Sequence, residues 1–207
     1  MTNGAGTGQP PPPGRQAPRI SRTRYVAYVG IIVFSGILMY LLTARELRNF
    51  LVPTNSMLPT FQSADYIFTM NAPAYERGDV VVLDDPLEPG AYVVKRIVAL
   101  GGDSVSIRWG ALYRNGEYVS EPYTLEPMIY DFPPPRAGAS YTVPAGEVFV
   151  LGDNRNHSDD SSNWGVEYQL SHSVPTESIV GRVHGIYLPP SRMQRIEGFP
   201  ALTVPMR

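Results

Sequence analysis

The sequence predicts a mostly β, antiparallel domain preceded by one N-terminal transmembrane helix. Residues 25–43 form a run of 19 residues without a charged side chain, which is long and apolar enough for a helix that crosses a bilayer. Beyond residue 50, apolar residues alternate with polar ones or form short β-branched runs, a pattern typical of strands. No amphipathic helical pattern separates these runs, which argues against a parallel α/β fold.

The composition narrows the chemistry before any motif is considered. The chain has 207 residues and no cysteine, which excludes disulfides, iron–sulfur clusters and thiol nucleophiles. Its three histidines have no paired spacing that would indicate a metal centre. The net charge of −2 lacks the basic excess of nucleic-acid-binding proteins. The composition therefore predicts neither a metal site nor a nucleic-acid partner.

Residues 1–24 are predicted to be a disordered tail on the cytoplasmic side of a membrane. The first 18 residues include the run QPPPPG at 9–14 and almost no bulky apolar side chains. Such a segment cannot bury enough apolar surface to offset the entropy lost on ordering.

Residues 25–43 are predicted to be an uncleaved, single-pass anchor in the cell membrane. As a helix they would span about 28 Å, close to the ~30 Å hydrocarbon thickness of a bilayer. Four arginines (Arg15, Arg19, Arg22 and Arg24) flank this run on its N-terminal side and two (Arg45 and Arg48) on its C-terminal side, which predicts a cytoplasmic N-terminus and places the remaining chain on the extracytoplasmic side. A cleaved signal peptide would have small residues at the last and third-last positions before the cut. In the corresponding sequence here, Leu42-Thr43-Ala44, the third-last position is a leucine.

The remaining chain is predicted to form the β-rich domain at residues 50–190 and a C-terminal tail at 191–207. Strands are predicted at residues 66–70, 79–83, 92–99, 104–108, 147–151 and 178–188. Asn115-Gly116 is a typical two-residue hairpin turn between strands 112–114 and 117–119. The proline-rich segment 121–140 is predicted to leave the sheet.

One lysine stands among 17 basic residues, the other 16 being arginine. Lysine can lose its proton when desolvated and then act as a base, whereas arginine cannot. Lys95 falls within an apolar predicted strand, where burial would lower the pKa of its ammonium group. A bias toward arginine that leaves one lysine by chance explains the same composition, and alternation also permits Lys95 to face solvent.

Segment 52–60, VPTNSMLPT, contains a candidate nucleophile in Ser56. Prolines on both sides stiffen the segment and prevent a helix. An extended loop with an exposed hydroxyl suits a nucleophile, although S-x-x-P segments such as Ser56–Pro59 are also common in ordinary loops. No G-x-S-x-G motif occurs, and His157 is the alternative base.

Four segments occur in an order that resembles type I signal peptidase. They are PTNSMLPT at 53–60, RGDVVVLDDP at 77–86, YVVKRIVALGGDSV at 92–105 and GDNRNHSDDSSNWG at 152–165. The resemblance implies a membrane-bound serine endopeptidase that removes signal peptides from exported preproteins, without a metal or an organic cofactor. Its partners would be signal-peptide-bearing preproteins and the lipid bilayer. It also implies shallow pockets for small side chains at the last and third-last residues of the signal peptide.

The resemblance implies roles for individual residues. Ser56 matches the nucleophile and Lys95 its general base. Thr54 falls where some family members have a serine hydroxyl that stabilises the oxyanion together with the Ser56 amide. Ser158 matches the serine that orients the lysine amine. The supporting positions are Arg96, Asp153 and Asp160.

Residues 152–173 depart from the family pattern in several places. Ser162 stands where many members have an arginine, so we expect Arg155 or Arg96 to pair with Asp160 instead. The other departures are Asn156 in place of aspartate, His157 in place of asparagine and an insertion at residues 167–173.

Three alternatives fit parts of the sequence. A specialised peptidase of the same family, such as one for conjugative transfer, would share all four segments. Self-cleaving, repressor-like Ser–Lys proteins carry a DNA-binding module, whereas this chain begins with a predicted anchor. An inactive, membrane-tethered β domain that binds secreted segments would not need Ser56 and Lys95, both of which are present.

Overall fold

The computed structural model describes residues 21–44, 47–134, 139–196, 198 and 202–204. Most of the predicted disordered tail, residues 1–20, lies outside this part, as do residues 135–138 of the proline-rich segment. The chain divides into two units, Met1–Leu42 and Thr43–Arg207.

A helix, α1 (Arg22–Ala44), covers the predicted anchor and extends it slightly at both ends. Its stretch Arg22–Leu41 has a mean hydropathy of 1.7 and is long and apolar enough to cross a membrane. Large apolar side chains such as Ile32 and Phe34 are exposed, whereas the core helix of a soluble protein would bury them. A signal sequence near the N-terminus would meet the same criteria of length and composition.

Two antiparallel sheets form the second unit. In chain order the strands are β1 (Arg48–Leu51), β2 (Tyr66–Met70), β3 (Val80–Asp84), β4 (Tyr92–Leu100), β5 (Ser104–Arg108), β6 (Ala111–Arg114), β7 (Glu117–Ser120), β8 (Tyr141–Thr142), β9 (Glu147–Leu151), β10 (Val174–Pro175), β11 (Ile179–Leu188), β12 (Gln194–Arg195) and β13 (Leu202–Val204). Within the described residues, the larger sheet has the order β1-β2-β11-β3-β4-β9-β10, with β12 paired to β11. The smaller sheet has the order β13-β7-β6-β5-β8. The predicted mostly β, antiparallel fold is confirmed.

The predicted strands lie where the structure has them, with ends that differ by at most one residue. The predicted hairpin is formed by β6 and β7, and Asn115 and Gly116 both have the positive φ that a two-residue turn requires. Other elements were not predicted. A short helix, α2 (Ser161–Glu167), follows β9, and β12 and β13 pair with strands of the two sheets although residues 191–207 were expected to be a tail.

The position of β4 in the larger sheet explains why its polar residues are buried. Six consecutive residues of β4, from the third to the eighth, are buried, because the side chains on both faces of the strand pack into the apolar core. Lys95 and Arg96 lie within this buried stretch. Arg96 pairs in register with Leu151, the last residue of β9. The loop that follows β9 therefore starts beside the middle of β4.

Candidate active site

Ser56 and Lys95 are in direct contact. Lys95 Nζ donates a hydrogen bond to Ser56 Oγ at 3.1 Å, although the two residues are 39 positions apart in the sequence. Lys95 is only 4% exposed, whereas Ser56 is half-buried. The side chains expected to be nucleophile and base thus meet at the boundary between the core and the solvent.

The segment that carries Ser56 is held by its apolar neighbours. Met57 and Phe61 are completely buried, and the amide of Phe61 donates to the carbonyl of Met57 at 2.9 Å. Before the serine, the amide of Val52 donates to the carbonyl of Asp65 at 2.9 Å. Because both ends of the segment are anchored, the hydroxyl of Ser56 has a defined position. Met57 thus serves as packing beneath the serine.

Burial lowers the pKa of Lys95 below its ordinary value, because removing the ammonium group from water disfavours its charged form. Nearby carboxylates partly oppose this shift, the largest such effect coming from Asp160 and smaller ones from Asp159, Asp85 and Asp153. The neutral amine is therefore more accessible near neutral pH than in an exposed lysine.

Thr54 lies on the open side of Ser56. Its Oγ1 is 3.2 Å from Ser56 Oγ, and either hydroxyl can donate the hydrogen bond. Thr54 is exposed, so a molecule that approaches Ser56 from the solvent would also meet the threonine hydroxyl.

The 152–158 loop, which follows β9, forms hydrogen bonds to backbone carbonyls of the Ser56 segment. The amide of Asn154 donates to the carbonyl of Ser56 at 3.0 Å, and its side-chain Nδ2 donates to the carbonyl of Asn55 at 3.0 Å. A methyl group on Gly152 would lie 2.5 Å from the Ser56 carbonyl oxygen, so only glycine permits this approach. Gly152 and Asn154 were not predicted as site residues, because no spacing in one sequence shows which backbone groups meet.

Ser158 lies beside Gly152, but it does not bond Lys95 in this structure. A side chain on Gly152 would collide with Ser158 Oγ. That hydroxyl is buried and has no hydrogen-bond partner within the described residues. The expected bond between Ser158 and the lysine amine is therefore not formed here.

Arg96 and Asp153 form a buried ion pair behind the site. Arg96 Nε and Nη2 contact the two carboxylate oxygens of Asp153 at 2.8 and 2.6 Å, and neither side chain is exposed. Thr60 Oγ1 donates to the same carboxylate at 2.5 Å. The pair joins β4 to the 152–158 loop.

The expectation that Arg155 or Arg96 pairs with Asp160 is wrong. The described ion pairs place Arg155 on Glu121 and Arg96 on Asp153. Asp160 is instead the N-cap of α2. One carboxylate oxygen of Asp160 accepts from the amide of Gly152 at 2.9 Å.

The other carboxylate oxygen of Asp160 accepts from Ser162, through its amide at 3.1 Å and its hydroxyl at 2.7 Å. Hydrogen-bond donors at the start of α2 therefore pair with the Asp160 carboxylate, and no cation is needed. The serine that stands in the place of arginine is itself one of these donors.

A cavity of about 320 Å³ opens over Ser56 and Lys95. Its walls combine apolar and acidic residues, among them Val93, Trp164, Asp85 and Asp159, and His157 also lines it. The described partners of Ser56 Oγ are Thr54 and Lys95 rather than His157. Among the described residues, no group of three or more histidine, aspartate or glutamate side chains could hold a metal ion. The arrangement supports acyl transfer through a serine.

Comparisons with known proteins agree with this chemistry and identify the class as serine peptidase. The family model described as "Signal peptidase, peptidase S26" matches residues 24–188, and the chain belongs to this family.

Named relatives carry related descriptions. "Probable signal peptidase I-1" of Synechocystis is 34% identical over 74% of this chain and 79% of its own length. "Thylakoidal processing peptidase 1, chloroplastic" of Arabidopsis thaliana is 38% identical over 69% of this chain, which spans only 42% of that longer protein. The crystal structure of a signal peptidase I from Enterococcus faecalis is 30% identical and covers 54% of this chain and 98% of its own, with a TM-score of 0.41.

Proposed function

We propose that this protein is a membrane-bound signal peptidase I that cleaves N-terminal signal peptides from exported preproteins, with Ser56 as nucleophile and Lys95 as general base. The observation that carries the proposal is the 3.1 Å contact between Lys95 Nζ and Ser56 Oγ. Its setting supports the same reading, since the lysine is buried, its pKa is lowered by that burial, and both residues line an open cavity.

In the first half of the reaction, the neutral amine of Lys95 takes the proton of Ser56 as the serine oxygen attacks the carbonyl carbon at the cleavage site. The negative charge that develops on the carbonyl oxygen is stabilised by the Thr54 hydroxyl and the Ser56 amide. One such donor is typically worth about 3–4 kcal/mol of the barrier. The lysine ammonium then protonates the leaving amine, and the peptide bond breaks.

In the second half, the signal peptide is joined to Ser56 as an ester. Lys95, again neutral, removes a proton from a water molecule that attacks this ester. The ammonium returns the proton to Ser56 Oγ as the acid product leaves. Lys95 thus carries one proton from Ser56 to the leaving amine and a second from water back to Ser56, and the proposed cycle uses no metal or organic cofactor.

The other predicted residues support this pair. Arg96, Asp153 and Asp160 hold the 152–158 loop, which in turn holds the carbonyl of Ser56. Ser158 is retained as the residue that orients the lysine amine. Its buried hydroxyl has no other partner within the described residues, so a rotation of this side chain toward Lys95 would break no existing hydrogen bond.

We further propose that residues 25–43 anchor the enzyme, with the N-terminus in the cytoplasm and residues 50–190 as the peptidase domain on the other side. The length and exposed apolar surface of α1 support the anchor, and the excess of arginine before it supports the orientation. An enzyme and a signal peptide held in one bilayer meet at a raised effective concentration.

Cleavage of a preprotein by the detergent-solubilised full-length protein tests the proposal. The wild type should cut after a small-x-small sequence, whereas Ser56→Ala and Lys95→Arg should be inactive, since arginine keeps the charge but cannot act as a base. Near-full activity of Lys95→Arg would shift the role of base to His157. A wild type that binds the preprotein without cutting it would favour the alternative of an inactive binding domain, and one that cuts only a narrow set of preproteins would favour a specialised peptidase.

A further inference from the structure

The described part of the proline-rich segment 121–140 is attached to the 152–158 loop by a buried ion pair. The Arg155 side chain has no exposed surface. Its Nη1 and Nη2 contact the two carboxylate oxygens of Glu121 at 2.5 and 2.6 Å, and its Nε donates to the carbonyl of Gly152 at 2.9 Å. The guanidinium group therefore connects Glu121 directly to the start of the loop.

Asn156 provides a second attachment. Its side-chain oxygen accepts from the amide of Ile129 at 3.0 Å, and its side-chain nitrogen donates to the carbonyl of Pro127 at 3.0 Å. An amide can accept and donate at the same time, whereas an ionised aspartate only accepts. The asparagine at this position therefore matches the backbone of the segment that it contacts.

Tyr123 extends the contact to the lysine strand. Its buried ring lies 3.9 Å from the guanidinium carbon of Arg96 on β4. Its hydroxyl donates to Glu121 Oε1 at 2.9 Å. The carboxylate of Glu121 thus contacts both the arginine of the loop and the tyrosine that packs on β4.

The loop held in this way fixes the backbone of the candidate nucleophile. Asn154, which lies between Gly152 and Arg155, donates hydrogen bonds to the carbonyls of Asn55 and Ser56. A shift of the loop would move the Ser56 carbonyl and with it the hydroxyl that meets Lys95. Displacements near 1 Å of reacting groups can lower rates about 100-fold.

We propose that Glu121 is a positioning residue of the active site, which acts through Arg155 and the 152–158 loop to hold Ser56 against Lys95. The proposal rests on the peptidase function proposed above and assigns a role to the proline-rich segment. Although burial opposes the charged form of Arg155, the combined effect of Glu121, Tyr123 and Asp153 outweighs it and raises the pKa of Arg155, with the Glu121 carboxylate contributing most. Loss of the Glu121 charge would therefore leave the Arg155 guanidinium buried without its partner. We expect the 152–158 loop to shift so that this cation reaches water.

The test compares Glu121→Gln and Glu121→Asp in the full-length, detergent-solubilised protein with a peptide substrate that has a small-x-small cleavage site. Glu121→Gln should lower kcat roughly 10- to 100-fold and change KM by less than about twofold. Glu121→Asp keeps the charge on a shorter side chain and should recover part of the lost kcat.

Asp103→Asn is the matched control. Asp103 also forms a bidentate ion pair, with Arg77 at 2.8 Å for both contacts. Its described hydrogen bonds involve neither the 152–158 loop nor Ser56. This variant should lose less thermal stability than Glu121→Gln, because Arg77 is 42% exposed and water solvates the cation that loses its partner, and it should keep kcat within about twofold of the wild type.

Amide hydrogen exchange followed by mass spectrometry provides a readout that does not depend on cleavage. Glu121→Gln should speed exchange in peptides that cover residues 54–58 and 152–158, whereas Asp103→Asn should not. Equal losses of kcat in Glu121→Gln and Asp103→Asn, or unchanged exchange in these peptides, would overturn the positioning role. A wild type without cleavage activity would overturn the proposed function alone, because the exchange experiment still decides whether Glu121 holds the Ser56 segment.

Discussion

Arg96 and Asp153, 57 positions apart in the sequence, form a bidentate ion pair with no solvent exposure. Their sequence neighbours both contact Ser56. Lys95, which precedes Arg96, donates to the Ser56 hydroxyl, and Asn154, which follows Asp153, donates through its backbone amide to the carbonyl of Ser56. The ion pair therefore sets the distance between the lysine strand and the loop behind the serine.

Asp153→Asn should lower the free energy of unfolding by about 3–5 kcal/mol, because it leaves the guanidinium of Arg96 buried without its charge partner. Urea denaturation of the full-length protein in detergent measures this change. The double variant Arg96→Met with Asp153→Leu removes both charges and should be less destabilised than Asp153→Asn. A double variant that loses more stability than the single one would contradict this account of the pair.

Thr54→Val should lower kcat about 10²- to 10³-fold, since valine has the shape of threonine but no hydroxyl to stabilise the oxyanion. Thr54→Ser keeps the hydroxyl and should retain most of the activity. Steady-state cleavage of a peptide substrate measures both variants. If Thr54→Val cleaves at the wild-type rate, the oxyanion is stabilised by other donors.

The pH dependence of kcat/KM should follow the ionisation of Lys95. Activity should rise with pH as the amine loses its proton, and the lowered pKa of Lys95 should place this rise below that of an ordinary lysine. Asp159→Asn removes a carboxylate that favours the ammonium form. The pKa of Lys95 should then fall further, and the rise in activity should move to lower pH.

Glu117→Gln is the control for this shift. Glu117 is exposed on β7 of the smaller sheet and is not among the groups that act on Lys95. Its pH profile should coincide with that of the wild type. A profile for Asp159→Asn that stays in place or moves to higher pH would show that another group controls the rise.

Gly152→Ala should abolish cleavage, because the added methyl group would lie 2.5 Å from the Ser56 carbonyl oxygen. Relief of that clash must displace either the 152–158 loop or the serine segment. Gly36→Ala is the control, as nothing lies within 4 Å of the position its methyl group would take, and its activity should be unchanged. Wild-type activity of Gly152→Ala would mean that the loop yields without moving Ser56.

The strands could be predicted because their signal is local. Alternation and β-branched runs located β2, β4 and β9, and Asn115-Gly116 located the hairpin. The short strands β12 and β13 carry too few residues to show a period, and they form only because longer strands offer an edge to pair with. The seven-residue helix α2 is likewise too short for a period, and it begins where Asp160 caps it.

The candidate site was predictable only in part, because roles depend on contacts. Ser56 and Lys95 were found from residue chemistry and from a resemblance of whole segments. The partner of Asp160 was predicted wrongly, because the sequence shows which charges are present but not which donors lie nearest. Gly152 and Asn154 act through backbone contacts, and no pattern in a single sequence predicts which backbone groups will meet.

The sequence by itself determined the strand pattern, the apolar N-terminal helix and the single lysine, which unlike the 16 arginines can lose its proton. These properties follow from the period of apolar residues and from the chemistry of each residue type. Only the tertiary structure decided that Lys95 is buried against Ser56, that the Asp160 carboxylate accepts from the amide of Gly152 and that Glu121 neutralises Arg155. The physical reason is that burial, pairing and pKa depend on distances across the fold between groups that lie far apart along the chain.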